Sequence, residues 1–116
     1  MSKIKMMTAA IAKKIPAMYS GEKVGRDDKL IVTKYFTPWS DYTFLVLEGE
    51  QIEGGDWEFF GWVTRGSLGD GELTYFRLSQ LEELKGPGGI PGVEREKWCP
   101  LLKVKLGDAI NGKWSL

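Results

Sequence analysis

Side chains that could do chemistry are concentrated in the segment EGEQIEGGDWE, which places five carboxylates between residues 48 and 58. Paired acids can share a proton or hold a hard cation through oxygen ligands. The spacing matches no calcium-loop template, however, and alternation along a strand predicts that Glu48 and Glu50 lie on one solvent-facing side. We therefore expect a solvated acidic edge here, with no metal and no cofactor.

Other catalytic groups are scarce. The chain contains no histidine, which removes the Ser-His and Cys-His nucleophile arrangements and the histidine-bearing zinc sites. The single cysteine, Cys99, has Lys97 nearby in sequence but no identifiable base and no second cysteine. We expect Cys99 to be a small buried hydrophobic residue and the protein not to be an enzyme.

Charge is segregated along the chain although its sum is zero. Residues 35–84 hold two basic residues against ten acids, whereas residues 1–34 and 85–116 are both basic. The acidic middle also contains most of the aromatic residues, so a stacking platform for nucleic acid would repel the phosphates it must follow. Nucleic acid is therefore not an expected partner.

Strand and turn signals begin near Lys29. LIVTKYF and YTFLVLE alternate as strands, and TPWSD between them supplies turn chemistry. Alternation predicts that Phe36 and Phe44 share one core layer, while Trp39 stands in the turn. The preceding AMYSGEKVGRDD is interpreted as a connection.

The remaining elements complete one domain. AAIAKKI predicts a helix that begins after the N-cap Thr8 and ends before Pro16. WEFFGWVT and ELTYFRL predict strands, SQLE predicts a helix capped by Ser79 and Glu82, GVEREKW predicts a short edge strand, and PLLKVKLGDA predicts a last helix. The sequence thus predicts a single α+β domain over residues 1–116, with a four- to five-stranded, mainly antiparallel sheet and short helices packed on one side.

The sequence also indicates where the protein resides. No basic start is followed by an apolar region with a cleavage site, and the apolar runs are far shorter than the roughly 20 residues that cross a bilayer. We expect a cytoplasmic protein that does not associate with membranes.

The leading functional hypothesis is a non-enzymatic protein that binds a protein partner through an acidic and aromatic surface. Tryptophan and tyrosine near turns are hard to bury, and they dominate binding hot spots. The predicted contact residues are Trp39, Tyr42, Glu48, Glu50, Glu53, Asp56 and Trp57.

Two alternatives and one assembly question stay open. The first alternative is a small-ligand-binding protein or enzyme with a pocket of Glu48, Glu94 and Arg95, whose guanidinium can hold a carboxylate or phosphate. The second is an acidic mimic of nucleic acid that inhibits a DNA-binding protein of host defence. Aromatic rings left over after the core is filled would favour a homodimer.

Several sequence blocks resemble, in their order and spacing, a bacterial family known only as domain-of-unknown-function 2958. The blocks are FTPWSDYTFLVLEGE, FFGWV, GELTYFRLSQLEELKG with the Gly-rich loop after it, and GVERE before a terminal PLL segment. The resemblance spans residues 8 to 104. It implies an accessory protein carried on plasmids and other mobile elements, and it supplies no activity and no catalytic residue.

Overall fold

The computed structural model describes residues 5–89, 92–97 and 100–112. Its elements in chain order are α1 (Ala9–Lys14), β1 (Leu30–Ile31), β2 (Thr33–Phe36), β3 (Tyr42–Gln51), β4 (Trp57–Arg65), β5 (Glu72–Arg77), α2 (Leu78–Glu83), β6 (Glu94–Arg95), β7 (Val104–Lys105) and α3 (Leu106–Ile110). In these ranges no helix has the length and apolar character needed to span a membrane. Cys99, predicted to be buried, lies outside the described residues.

Five strands form one antiparallel sheet in the order β5-β4-β3-β2-β6, and β1 pairs with β7 in a separate two-stranded sheet. The longest pairing joins β3 to β4, which follow one another along the chain as a hairpin. Gly54 and Gly55 take positive φ values of 78° and 82° in its turn, a conformation that glycine adopts without steric cost. The predicted α+β fold with an antiparallel sheet is confirmed.

Each face of the five-stranded sheet carries a buried hydrophobic cluster. On the first face, Phe44, Phe59 and Phe76 pack with side chains of α1 and α2. On the second face, Leu45, Leu47 and Trp62 pack with Leu106 and Ala109 of α3. The predicted packing of helices on one side therefore holds for α1 and α2 but not for α3, because the continuous apolar run in β3 leaves side chains to cover on both faces.

Two helices begin elsewhere than the sequence predicts. The N-cap of α2 is Arg77 rather than Ser79, and the Arg77 amide donates to the Gln80 side chain at 2.8 Å. The last helix begins at Leu106 and not at Pro100, because Val104 and Lys105 first pair with β1. The first helix is confirmed, with the Thr8 hydroxyl accepting from the Ile11 amide at 3.2 Å.

The aromatic layer of the first hairpin contains Tyr35 instead of Phe36. Tyr35 lies opposite Phe44 in the β2–β3 register, and Phe36 lies opposite Thr43. Tyr35 is fully buried and its hydroxyl donates to the Met6 carbonyl at 2.6 Å. The predicted Phe36–Phe44 layer is wrong, because the turn length pairs residue 35 with residue 44 and alternation then turns Phe36 to the other face.

Candidate functional site

A groove of about 360 Å³ opens on the second face of the sheet, between residues 19–29 and strands β3, β4 and β5. Tyr19, Glu22 and Lys29 line one wall. Glu48, Phe60 and Tyr75 line the other. We call this the tyrosine groove. A smaller groove of about 220 Å³ shares Glu48 and Lys29 with it.

A β-bulge in β3 aims Glu48 into the tyrosine groove. Val46 pairs with Gly61 and Glu48 pairs with Phe60, so Leu47 is an extra residue with no partner of its own. An extra residue resets the alternation of side chains, and without it Glu48 would point into the apolar core of the first face. The bulge therefore decides on which face this carboxylate lies.

The Glu48 carboxylate fastens the chain between α1 and β1 to the sheet. Its Oε1 accepts from the Tyr19 amide at 2.8 Å, and its Oε2 accepts from the Gly21 amide at 3.0 Å. The Lys29 ammonium lies 4.0 Å from Oε2 and donates to the Gly21 carbonyl at 2.7 Å. Glu48 is only 5% exposed, so the expectation that it faces solvent is wrong, because the bulge and the covering loop bury it.

Tyr19 is held in an unusual backbone conformation. Its φ of 69° lies in the left-handed region, which side chains larger than glycine seldom adopt and which costs roughly 1–3 kcal/mol. The hydrogen bond to Glu48 offsets part of this cost. At Gly21 a Cβ would lie 2.5 Å from the Glu48 carboxylate, so the loop can approach the carboxylate this closely only with glycine there.

The aromatic rings of the groove are exposed and face one another. Tyr19 is 55% exposed and Tyr75 is 50% exposed. Their ring centroids lie 6.3 Å apart at an interplanar angle of 57°, and Tyr75 also contacts Phe60 at 5.0 Å. Phe60 thus supports one member of an open tyrosine pair, and the Glu48 contact supports the other.

The electrostatic environment of the groove is visible at Tyr75. Desolvation, a hydrogen bond between the Tyr75 and Tyr19 phenols, and the neighbouring charges of Tyr19, Glu48 and Glu22 together raise the pKa of Tyr75. The carboxylates of Glu48 and Glu22 both disfavour the negatively charged phenolate form of Tyr75. The rim near Tyr75 therefore disfavours an anion.

The predicted contact residues at the start of β3 lie outside the groove. Trp39 is 42% exposed and its indole N–H donates to the Gly92 carbonyl at 2.7 Å. Tyr42 is 37% exposed, stacks on Phe44 at 6.2 Å, and has the Arg65 guanidinium 5.5 Å from its ring centre. These two rings and Arg65 form a separate patch, which we call the turn patch.

The other predicted contact residues lie at the opposite end of β3. Tyr42 pairs with Arg65 at one end, and Gln51 pairs with Trp57 at the other, which separates the two ends by roughly 30 Å. Glu50 and Glu53 are exposed at the far end. The structure therefore divides the predicted acidic and aromatic surface into two distant parts.

Asp56 and Trp57 contribute to the fold at that far end. Asp56 accepts from the Ser79 amide at 3.0 Å, from the Ser79 hydroxyl at 2.6 Å and from the Trp57 amide at 2.8 Å. These hydrogen bonds, with the Ser79 hydroxyl first, lower the pKa of Asp56 against an opposing desolvation effect. Trp57 is half-buried and stacks on Phe59 at 6.4 Å.

The residues predicted to form the alternative pocket, Glu48, Glu94 and Arg95, do not lie together in the structure. Glu94 and Arg95 lie in β6, at the edge of the sheet beyond β2, and Arg95 donates to the Lys5 carbonyl at 2.6 Å. Glu48 lies in β3, past the bulge, and both grooves that it lines are formed without either residue. Among the described residues, no group of three or more His, Cys, Asp or Glu side chains is arranged to hold a metal ion.

Tyr19, Glu22, Lys29, Phe60 and Tyr75 were not among the sequence-predicted site residues. Tyr19 and Glu22 fall in the segment interpreted as a connection, and Lys29 follows it directly. Phe60 and Tyr75 are strand residues, and alternation along a strand indicates only the face of the sheet on which each lies. The one local signal was an aromatic residue in a loop otherwise rich in glycine and charge. Their convergence depends on the bulge in β3, which lies beside the Val46–Gly61 pair. A glycine within a strand indicates a bulge or a close approach but not which side chain the bulge redirects.

Comparisons with known proteins identify one family. No curated protein and no solved structure matches the chain. The model of the family described as "Protein of unknown function (DUF2958)" matches residues 6–100, a range that contains every residue of the tyrosine groove. Because this match covers most of the 116 residues, the chain belongs to the DUF2958 family of proteins of unknown function.

Proposed function

We propose that the protein is a non-enzymatic interaction protein that binds a protein partner, and that the tyrosine groove is its main contact surface. The observation that carries this proposal is the pair of half-exposed tyrosines, Tyr19 and Tyr75, facing one another across a formed groove. Tyrosine is among the residue types that contribute most to binding at protein interfaces.

The contacts that hold the two tyrosines in place favour binding. Glu48 holds the Tyr19 backbone and Phe60 contacts the Tyr75 ring, so both aromatic groups are ordered before a partner arrives. Ordering a surface in advance lowers the entropic cost of association. The volume lies near the lower end of the roughly 300–1,000 Å³ typical of binding pockets, which suits one or two side chains of a partner.

Affinity capture from the native host tests this proposal. The full chain is used as bait beside the variants Tyr75→Ala and Tyr42→Ala, which remove the same side chain inside and outside the groove. We expect a protein that co-purifies with the wild type and with Tyr42→Ala but not with Tyr75→Ala. For the purified partner, loss of the Tyr75 ring should weaken binding about thirtyfold, as expected for a hot spot.

Equal recovery with both variants, while circular dichroism shows an intact fold, would move the contact surface away from the groove. Recovery lost only with Tyr42→Ala would assign binding to the turn patch instead.

The turn patch is a second candidate surface. It retains Trp39 and Tyr42 of the surface predicted from the sequence, and both rings are more than one-third exposed. Glu50 and Glu53 belong to the same prediction but lie at the other end of β3. Trp39→Ala in the same capture experiment would separate this candidate from the groove.

Further proposals rest on the sequence alone. They are a cytoplasmic location and carriage on mobile genetic elements. The homodimer stays an open alternative, and light scattering of the purified chain over a range of concentrations would measure its molecular mass.

A further inference from the structure

We propose that the tyrosine groove recognises a positively charged side chain of its partner, held against the rings of Tyr19 and Tyr75 beside the carboxylate of Glu22. This inference rests on the proposed function and specifies the chemistry that the groove would bind. Three observations carry it: the charges left unpaired around the groove, the arrangement of the rings, and the way other rings of this molecule already contact cations.

Four charged residues line the groove, two acidic and two basic, and three of them have an ion-pair partner. Glu48 and Lys29 lie 4.0 Å apart. Arg26 is paired with Asp27 at 2.8 Å. In the part of the chain that the structure describes, the carboxylate of Glu22 has neither an ion pair nor a hydrogen bond, and the residue is exposed. Glu22 is therefore the charged residue of the groove lining whose carboxylate has no ion-pair partner of its own.

The rings of Tyr19 and Tyr75 form an open V at the rim of the groove. Their tilt of 57° and centroid separation of 6.3 Å leave the outer ring surfaces accessible rather than stacked on one another. A cation is attracted to the face of an aromatic ring within about 6 Å of its centre. A guanidinium or ammonium at this rim would meet a ring face and a carboxylate together.

The raised pKa of Tyr75 is consistent with this electrostatic environment. Desolvation is the largest cause of the raised pKa, and the charges of Glu48 and Glu22 add smaller contributions that oppose negative charge at the phenol. The negative charges of these carboxylates attract a cation.

Other aromatic rings of the molecule, among them Phe60 in the groove itself, show the same contact. Arg26 lies 5.3 Å from the ring centre of Trp62, Lys29 lies 5.8 Å from that of Phe60, and Arg65 lies 5.5 Å from that of Tyr42. The Phe60 ring, which lines the groove, already has the Lys29 ammonium over its face. The Tyr19 and Tyr75 rings, nearer the opening, are the ones that a partner's side chain would contact.

Nuclear magnetic resonance titration of the ¹⁵N-labelled full chain tests the proposal with three probes. N-acetyl-arginine methylamide supplies the cation, N-acetyl-citrulline methylamide is a neutral molecule of nearly the same shape, and inorganic phosphate supplies an anion. We expect saturable shifts of the Tyr19, Gly21 and Tyr75 amides with the arginine probe. The citrulline probe should bind at least about threefold more weakly, because it lacks the charge that the rings and Glu22 attract.

Matched variants assign the effect to the groove. Glu22→Gln removes one exposed negative charge and should weaken the arginine probe about three- to tenfold. Glu83→Gln removes a like charge from α2, which packs on the opposite face of the sheet, and should leave binding unchanged. Tyr75→Ala should abolish the saturable shifts.

Equal affinity for the arginine and citrulline probes would overturn the proposal, as would phosphate binding at the same amides or the absence of shifts with every probe. A failure of this inference can be distinguished from a failure of the proposed function. If Tyr75→Ala abolishes partner capture while the arginine probe does not bind, the contact surface is correct and the inferred charge recognition is wrong.

Discussion

Glu48 is a buried carboxylate whose ionic and hydrogen-bonding partners are all supplied by one loop. It accepts two backbone amides and faces the ammonium of Lys29, which is also largely buried. Burying a charge is costly unless it is paired and hydrogen-bonded, and here both conditions are met. The residue therefore links the conformation of the loop over the groove to the stability of the sheet.

Substitution of Glu48 by glutamine should destabilise the protein strongly. Glutamine offers one acceptor where two amides must be satisfied, and it leaves the Lys29 ammonium without its counter-charge. We expect the free energy of unfolding in urea to fall by about 2–4 kcal/mol.

The matched control is Glu50→Gln, an exposed site two residues along the same strand, which should change the free energy of unfolding by less than about 0.5 kcal/mol. Equal effects at the two positions would show that the contacts of Glu48 contribute little to stability.

Trp39 contributes a hydrogen bond to the fold although part of its side chain stays exposed. The sequence places it in a turn and cannot decide whether the ring folds back. The structure shows that it donates to the Gly92 carbonyl while 42% of its surface stays exposed. The hydrogen bond joins residues 53 positions apart, which local sequence patterns cannot encode.

At the scale of elements, the bulge in β3 and the start of α2 are the two places where local signals were insufficient. Both depend on partners distant in sequence. The bulge is defined by pairing with β4, and the first turn of α2 is capped by Asp56, 23 residues before Ser79. The capping residues predicted from the sequence were close to the helix start but were not the ones used.

The Asp56 contact should make stability depend on pH in the acidic range. The folded-state pKa of Asp56 lies below its ordinary value of 3.8, so its contribution is complete above about pH 3.8 and is lost as the pH falls through the folded pKa. The difference in free energy of unfolding between the wild type and Asp56→Asn should therefore be largest near neutral pH and shrink towards pH 2, as measured by urea denaturation.

Ser79→Ala provides the comparison, because it removes the hydroxyl that contributes most to lowering the pKa and keeps the amide hydrogen bond. We expect a smaller loss of stability than for Asp56→Asn, one that also shrinks as the pH falls, because the Asp56 pKa in this variant lies closer to its ordinary value. A pH-independent difference for Asp56→Asn would mean that the carboxylate charge does not contribute to the cap.

At the scale of the whole molecule, the sheet must be covered on both faces, and the two covers come from different parts of the chain. Residues of α1 and α2 cover the first face, whereas α3 covers the second. The family match ends at residue 100, before α3 begins. The last helix should nevertheless be needed for a stable fold, because Leu106 and Ala109 are completely buried.

Leu106→Ala should lower the free energy of unfolding by about 2–5 kcal/mol, since it leaves a cavity between α3 and the sheet. Leu84→Ala is the matched control, because Leu84 is 43% exposed, and it should cost less than about 0.5 kcal/mol. Urea denaturation of both variants measures the difference. Equal costs would contradict a role for α3 as the cover of the second face.

The sequence by itself determined the α+β class, the first hairpin of the sheet, the start of α1 and the short edge strand β6. These features follow from alternation, turn residues and caps, which act between residues close together along the chain. The family resemblance was likewise present in the order of its blocks, and the match over residues 6–100 confirms it.

Only the tertiary structure decided that Glu48 is buried, that α3 covers the second face, and that Tyr19 meets Tyr75. Each depends on contacts between residues far apart in sequence: Glu48 with the loop 27 to 29 residues before it, and Tyr19 with a strand that begins at residue 72. A single bulge reverses the direction of a side chain, and alternation cannot foresee it. The acidic segment predicted to be exposed therefore supplies a buried carboxylate, and the loop interpreted as a connection supplies a wall of the groove.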